Sequence, residues 1–173
     1  MNIKNLIRLA GVSCITFSFY LLLTMLTGRF GLWSLEELIV GSVFSVITAL
    51  LARNVLFERD SFRMLNPLRW VLFLLYLIGP FFWAMAKANL DVAYRVITGN
   101  INPGIVKLEP DLETDLGITL LANSITLTPG TLSVDVEDES GALYVHWINV
   151  TSGEPEIMDV CGEFPKWARR IAE

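Results

Sequence analysis

LAGVSCITFSFYLLLTMLTG, residues 9–28, holds no Asp, Glu, Lys, Arg or His. Two more runs share that emptiness: LIVGSVFSVITALLA, residues 38–52, and WVLFLLYLIGPFFWAMA, residues 70–86. A charge at the bilayer centre costs about 2.5–3.5 kcal/mol even on lenient insertion scales, and about 20 apolar residues cross the hydrocarbon as a helix. These runs therefore belong in a membrane. The fold class that follows is an α-helical membrane part of two or three apolar helices, then a small α/β domain with a short antiparallel hairpin.

Length and charge locate the division. The chain has 173 residues, 53% of them apolar. Residues 1–100 carry nine Lys/Arg against five acids, net +4, whereas the remainder carries four against thirteen, net −9. The expected domains are a membrane region over 1–98 and a soluble domain over 99–173. An acidic domain repels anionic headgroups and nucleic acid, so nucleic acid is excluded as a partner and membrane lipid is expected only for the first region. Proton and ion pathways through lipid need buried Asp, Glu, Lys or His as relays. These spans offer none, which points to a partner of a transporter rather than the transporter.

Working outward, Lys4 and Arg8 before the first run imitate a signal peptide, but the run is too long and lacks a small-x-small cleavage site, so a retained span near residues 8–27 is expected. Gly28-Arg29-Phe30-Gly31 breaks it. Ser34 is a candidate N-cap for a second helix over 34–55, with Glu36 and Glu37 in its first turn where acids favour the helix dipole. Gly41, Ser42, Ser45 and Ala49 have the spacing that lets helix backbones approach in lipid. The third helix, near 68–98, contains Gly79-Pro80 and reads as either a kinked span or a broken, partly interfacial helix. Trp70, Tyr76 and Trp83 are candidate interface anchors. Lys87, Asp91 and Arg95 recur every fourth residue on an amphipathic stem that Gly99-Asn100 ends.

In the acidic part, residues 105–108 read as a strand. Asp111 to Asp115 lead into a helix through Ile125, and Thr128-Pro129-Gly130 makes a tight turn. Alternation in Leu132, Val134, Val136 and in Leu143, Val145, Trp147 flanks Asp138-Glu139-Ser140-Gly141 as a hairpin. Residues 156–172 suit a helix broken by Gly162 and Pro165. Cys14 and Cys161 cannot pair across membrane and water and are expected as free thiols.

No phosphate loop, nucleophile constellation or zinc spacing is present, so no catalytic, cofactor or metal residue is assigned and the chain does not read as an enzyme. Asp135, Glu137, Asp138 and Glu139 lack calcium-loop spacing and suit a solvated hairpin tip. Glu36 and Glu37 are explained by helix-end stabilisation, and His146 on an alternating strand reads as structural. Thr126, Thr128 and Thr131 can cap the turn with their hydroxyls, and Asn123 can bond its own backbone, again without a general base nearby.

The run Asp115 to Ile118, then Asn123-Ser124-Ile125-Thr126-Leu127-Thr128-Pro129-Gly130-Thr131-Leu132, followed by Leu143 to Val150, closely resembles the E subunit of the Mrp-type multisubunit cation/proton antiporters. The order of parts matches over nearly the whole chain. The resemblance implies membership of a large complex of antiporter-like membrane subunits that exchanges Na⁺ for H⁺ across a prokaryotic cell membrane. Related modules occur in membrane-bound hydrogenases. It also implies that Asn123, Thr126, Thr128, Pro129, Gly130, Thr131 and His146 are structural family positions, and that the C-terminal domain is cytoplasmic. The positive-inside rule places the start and the basic loop 53–69 in the cytoplasm. A fully crossing third helix then sends the domain outside, in conflict with the resemblance. Two roles of different class compete: an accessory subunit needed for assembly or stability of the complex, and a membrane-anchored module that recruits a basic partner.

Overall fold

The computed structural model describes residues 3–25, 33–56, 66–153 and 155–173. They fall into two compact units, Met1–Leu65 and Asn66–Glu173. The break at residues 28–31 and the basic side chains of the 53–65 loop lie outside the described residues.

The first unit is a helical hairpin of α1 (Ile3–Thr24) and α2 (Leu35–Leu56). Its entry into α2 is a capping box. The Ser34 hydroxyl accepts from the Glu37 amide at 3.2 Å, and the Glu37 carboxylate accepts from the Ser34 amide at 2.8 Å, which satisfies two amides that a helix start leaves open. Among the described side chains of α2, Gly41, Ser45 and Ala49, one per turn, are the buried ones, while Ser42 turns outward and donates to the Leu38 carbonyl. A methyl group at Gly41 would sit 2.3 Å from the Tyr20 ring of α1, so only glycine allows that approach. The Tyr20 hydroxyl then reaches the Glu37 carbonyl at 3.0 Å.

The second unit begins with one long helix. Asn66 caps α3 (Pro67–Tyr76), with Pro67 in the first turn where its missing N–H costs nothing. A π-helical segment, Leu77–Phe81, contains Gly79-Pro80, and α4 (Phe82–Thr98) continues beyond it. The helix neither breaks nor ends at the proline. Widening one turn to the i→i+5 pattern moves the carbonyl that the ring would strike and leaves the helix whole. Gly99, at φ +69°, closes it, and Arg95 grips Asp91 at 2.6 Å on the stem.

Next come β1 (Gly104–Leu108), α5 (Asp115–Leu127), β2 (Thr131–Val136) and β3 (Leu143–Trp147), then α6 (Ile157–Cys161) and α7 (Phe164–Ala172). The strands form an antiparallel sheet in the order β1-β3-β2. Thus the expected hairpin is joined by β1 on the far side of β3. A register shift between Ser133 and Asp135 leaves Leu132 and Val134 outward while Val136 packs inward, so the apolar alternation of β2 does not mark its buried face. The last helix breaks at Gly162 alone, with φ +54°; Pro165 lies inside the first turn of α7, where proline is tolerated.

The core joins the two ends of this unit. Tyr76 and Phe81 of the long helix are buried with Leu121, Ile125, Leu143, Val145, Phe164 and Ile171. Tyr76 meets the Phe164 ring edge-on, with centroids 6.1 Å apart.

Candidate functional site

The motif 123–132 occupies the corner where α5 turns into β2. Two threonine hydroxyls fasten that corner. Thr128 donates to the Ser124 carbonyl at 2.7 Å, and Thr131 donates to the carbonyls of Ile125 and Thr128 at 2.7 and 3.0 Å. Ser124 and Ile125 belong to the last turn of α5, whose carbonyls lack intrahelical partners, and Thr128 is the residue that caps it. Pro129 supplies the second residue of the turn and Gly130 the third, at φ +89°, a conformation that suits glycine. A methyl group on Gly130 would lie 3.0 Å from Ile148 and 3.3 Å from Val92, so the corner also sits tightly against β3's exit and the stem of α4.

Thr126 plays a different part. Its hydroxyl accepts from the Ser133 amide at 3.2 Å, and the Ser133 hydroxyl donates to the Ala122 carbonyl at 3.0 Å, so α5 and β2 are stitched side by side. Asn123 stands apart from these bonds, exposed beside Thr126 and Asp135 in a shallow groove. His146 lies elsewhere, on the central strand, half-buried and opposite Ile105 on one side and Leu132 on the other. The motif therefore gathers its threonines, Pro129 and Gly130 at one corner and leaves Asn123 and His146 outside it.

Several contributors carry no motif in the sequence. Ser124 is buried and shares its hydroxyl between two neighbours: it accepts from Tyr76 at 2.6 Å and donates to the Leu120 carbonyl at 2.7 Å. A tyrosine within an apolar run signals such a partner, since a buried hydroxyl needs one. Arg69 donates from its two terminal nitrogens to the carbonyls of Ile171 and Glu173 at 2.7 and 2.9 Å, capping α7 from the long helix. Nothing local in the sequence pairs residues so far apart along the chain.

The electrostatics follow the same pattern. At the hairpin tip the Ser140 hydroxyl and the Lys107 ammonium hold the Glu137 carboxyl below its usual range, and Lys107 is raised in turn by Glu137. Burial pushes the Cys161 thiol up to about 12. Among the described residues no three His, Cys, Asp or Glu side chains gather as a metal site. What the arrangement does is hold a corner, a sheet and a long helix in one rigid unit.

The chain is similar to several known proteins. A family described as Na⁺/H⁺ ion antiporter subunit matches residues 13–171. The chain is 36% identical over 132 residues to the E subunit of the Na⁺/H⁺ antiporter of Alkalihalophilus pseudofirmus, covering 75% of this chain and 80% of that one. It is 32% identical over 146 residues to the E1 antiporter subunit of Staphylococcus saprophyticus, covering 83% and 87%. Among solved structures, a chain of the membrane-bound sulfane sulfur reductase, an archaeal respiratory membrane complex, superposes with a TM-score of 0.78 at 38% identity, over 95% of this chain and 98% of that one.

Proposed function

Since the chain belongs to the family of Na⁺/H⁺ antiporter E subunits, we propose that it is an accessory subunit of a multisubunit monovalent cation/proton antiporter, required for assembly or stability of the complex. The ion exchange itself belongs to partner subunits. One observation carries this division of labour: α1 and the buried seam of α2 contain no Asp, Glu, Lys or His over residues 9–24 and 38–52, so the hairpin provides no relay for a proton or metal ion. Its outward side chains, among them Leu22, Leu23 and Leu51, are exposed and apolar, a surface for lipid and neighbouring spans.

In this reading the protein is a multi-pass component of a prokaryotic cell membrane with its acidic domain in the cytoplasm, and it carries out no catalysis of its own. Asn123, Thr126, Thr128, Pro129, Gly130, Thr131 and His146 are architectural. The corner that the threonines, Pro129 and Gly130 build keeps the domain rigid, and the domain clamps the assembly from one side.

Affinity purification of the chain from native membranes in mild detergent tests the proposal. Large antiporter-like subunits should co-purify in fixed stoichiometry, and metal-cluster subunits among them would move the complex toward the respiratory type. A stable lone protein, or one bound only to a basic soluble partner, would replace this reading by the membrane-anchored module.

A further inference from the structure

The third apolar helix is long enough to cross a bilayer, since Pro67–Thr98 has 32 residues and its most apolar 18-residue stretch has a mean hydropathy of 1.8. Its surroundings argue against crossing. The acidic domain packs along one side of it from Arg69, which caps α7, through Tyr76 and Phe81 in the core, to Val92 beside Gly130. At 1.5 Å per residue those contacts cover about 35 Å, more than the roughly 30 Å of hydrocarbon. Any 20-residue crossing drawn from this helix would therefore bring the domain into the hydrocarbon with it. Asp159 and Glu163 share a cleft with Trp83 and Lys87 near the middle of the helix, and Lys166 is paired to Glu163 on the same edge. Those charges belong in water.

The opposite side of the helix is a continuous apolar face. Leu68, Val71, Leu75, Ile78 and Phe82 recur at steps of three and four, all half or more exposed, and Trp83 stands beside them at 70% exposure. Residues 70–86 carry no charge, and the most apolar stretch of this helix nearly matches those of the two N-terminal helices, at 1.9 each. Trp70 and Trp83 are the residue type that favours headgroup depth, and exposed Lys87 follows where an ammonium can reach the headgroups.

We propose that Pro67–Phe82 lies flat in the membrane surface, with the Leu68-Val71-Leu75-Ile78-Phe82 stripe in the acyl boundary and the acidic domain held above it in water. The occupant of the stripe is lipid. The chain then crosses the membrane only in its N-terminal hairpin, and the domain stays on the side from which that hairpin starts. This removes the conflict between the charge pattern and a cytoplasmic domain, and it depends on the hairpin crossing rather than on the assembly role.

The test uses the full chain in its purified complex, reconstituted into nanodiscs of mixed zwitterionic and anionic lipid. Nitroxides are placed by Val71→Cys, Ile78→Cys and Phe82→Cys in a Cys14→Ala background, and their collision rates with oxygen and with a water-soluble nickel chelate are compared. A flat helix gives three shallow depths within a few ångströms of one another. A crossing helix separates Val71 from Phe82 by about 16 Å in depth and overturns the proposal. Protection from both quenchers means that protein covers the stripe, and this too overturns it. Because a stripe variant can fail to assemble, labelling of Asp60→Cys and Asn100→Cys by a membrane-impermeant maleimide gives a second readout. Modification from the same side is expected, and modification from opposite sides overturns the proposal.

Discussion

Ser124 shows how one hydroxyl in α5 decides more than its size suggests. It accepts the bond from the Tyr76 hydroxyl and keeps its own bond to Leu120. Tyr76→Phe therefore removes one bond and leaves Ser124 still donating, at a cost of about 1 kcal/mol. Ser124→Ala strands a buried phenol and should cost about 1–3 kcal/mol, the larger of the two. Thermal unfolding of both variants and of the double variant checks the order, and equal costs would contradict it. Cys161 offers a pH test. Burial raises its thiol to about 12, above the ordinary value of 9.0. Its contribution is thus fully present below pH 9 and is lost as pH rises from there toward 12. At about pH 8 a thiol reagent should modify it only through opening of the unit, so labelling should be slow in the intact protein and fast in denaturant.

At the scale of elements, the long helix and α7 depend on each other. Arg69 places a cation and two donors at the C-terminal carbonyls of α7, where both satisfy open groups and complement the helix dipole. Arg69→Ala should destabilise the C-terminal unit by about 1–3 kcal/mol, and Arg69→Lys should restore less than half, because an ammonium lacks the planar fork. Limited proteolysis near the C-terminus reads the loss directly: α7 should be clipped earlier in Arg69→Ala, and an unchanged pattern would exclude the capping role. The π-helical segment belongs to the same design. It adds a residue between Tyr76 and Phe81 so that both rings enter one core, tilted at 51° with centroids 5.9 Å apart. Proline alone does not encode that outcome. A kink, a break and a widened turn all relieve its missing N–H, and the packing of Tyr76 and Phe81 selects among them.

For the whole molecule, the corner at 128–130 is where the proposed assembly role can be tested against the fold. Gly130→Ala combines an unfavourable φ with contacts at 3.0 and 3.3 Å and should cost about 1–2 kcal/mol, with a smaller loss for Pro129→Ala. The double variant should lower the yield of assembled complex while the complex that forms keeps its cation preference; altered Na⁺ affinity in a full complement of subunits would assign the motif to the transport step instead. Much of this protein is legible in its sequence. Charge-free runs of bilayer length, the Ser34 N-cap, Gly99 and Gly141 at helix and hairpin ends, and the Thr128-Pro129-Gly130 turn are all local, and local sterics and desolvation fix them within a few residues. The family motif is equally local, which is why the resemblance is visible in the amino-acid sequence alone. The tertiary structure decided that β1 completes the sheet beside β3, that the shift at Ser133–Asp135 turns Leu132 and Val134 outward, and that the proline turn becomes π-helical. It also decided that the third apolar helix is half core and half surface, because hydropathy records only that a side chain avoids water and says nothing of whether protein or lipid takes its place.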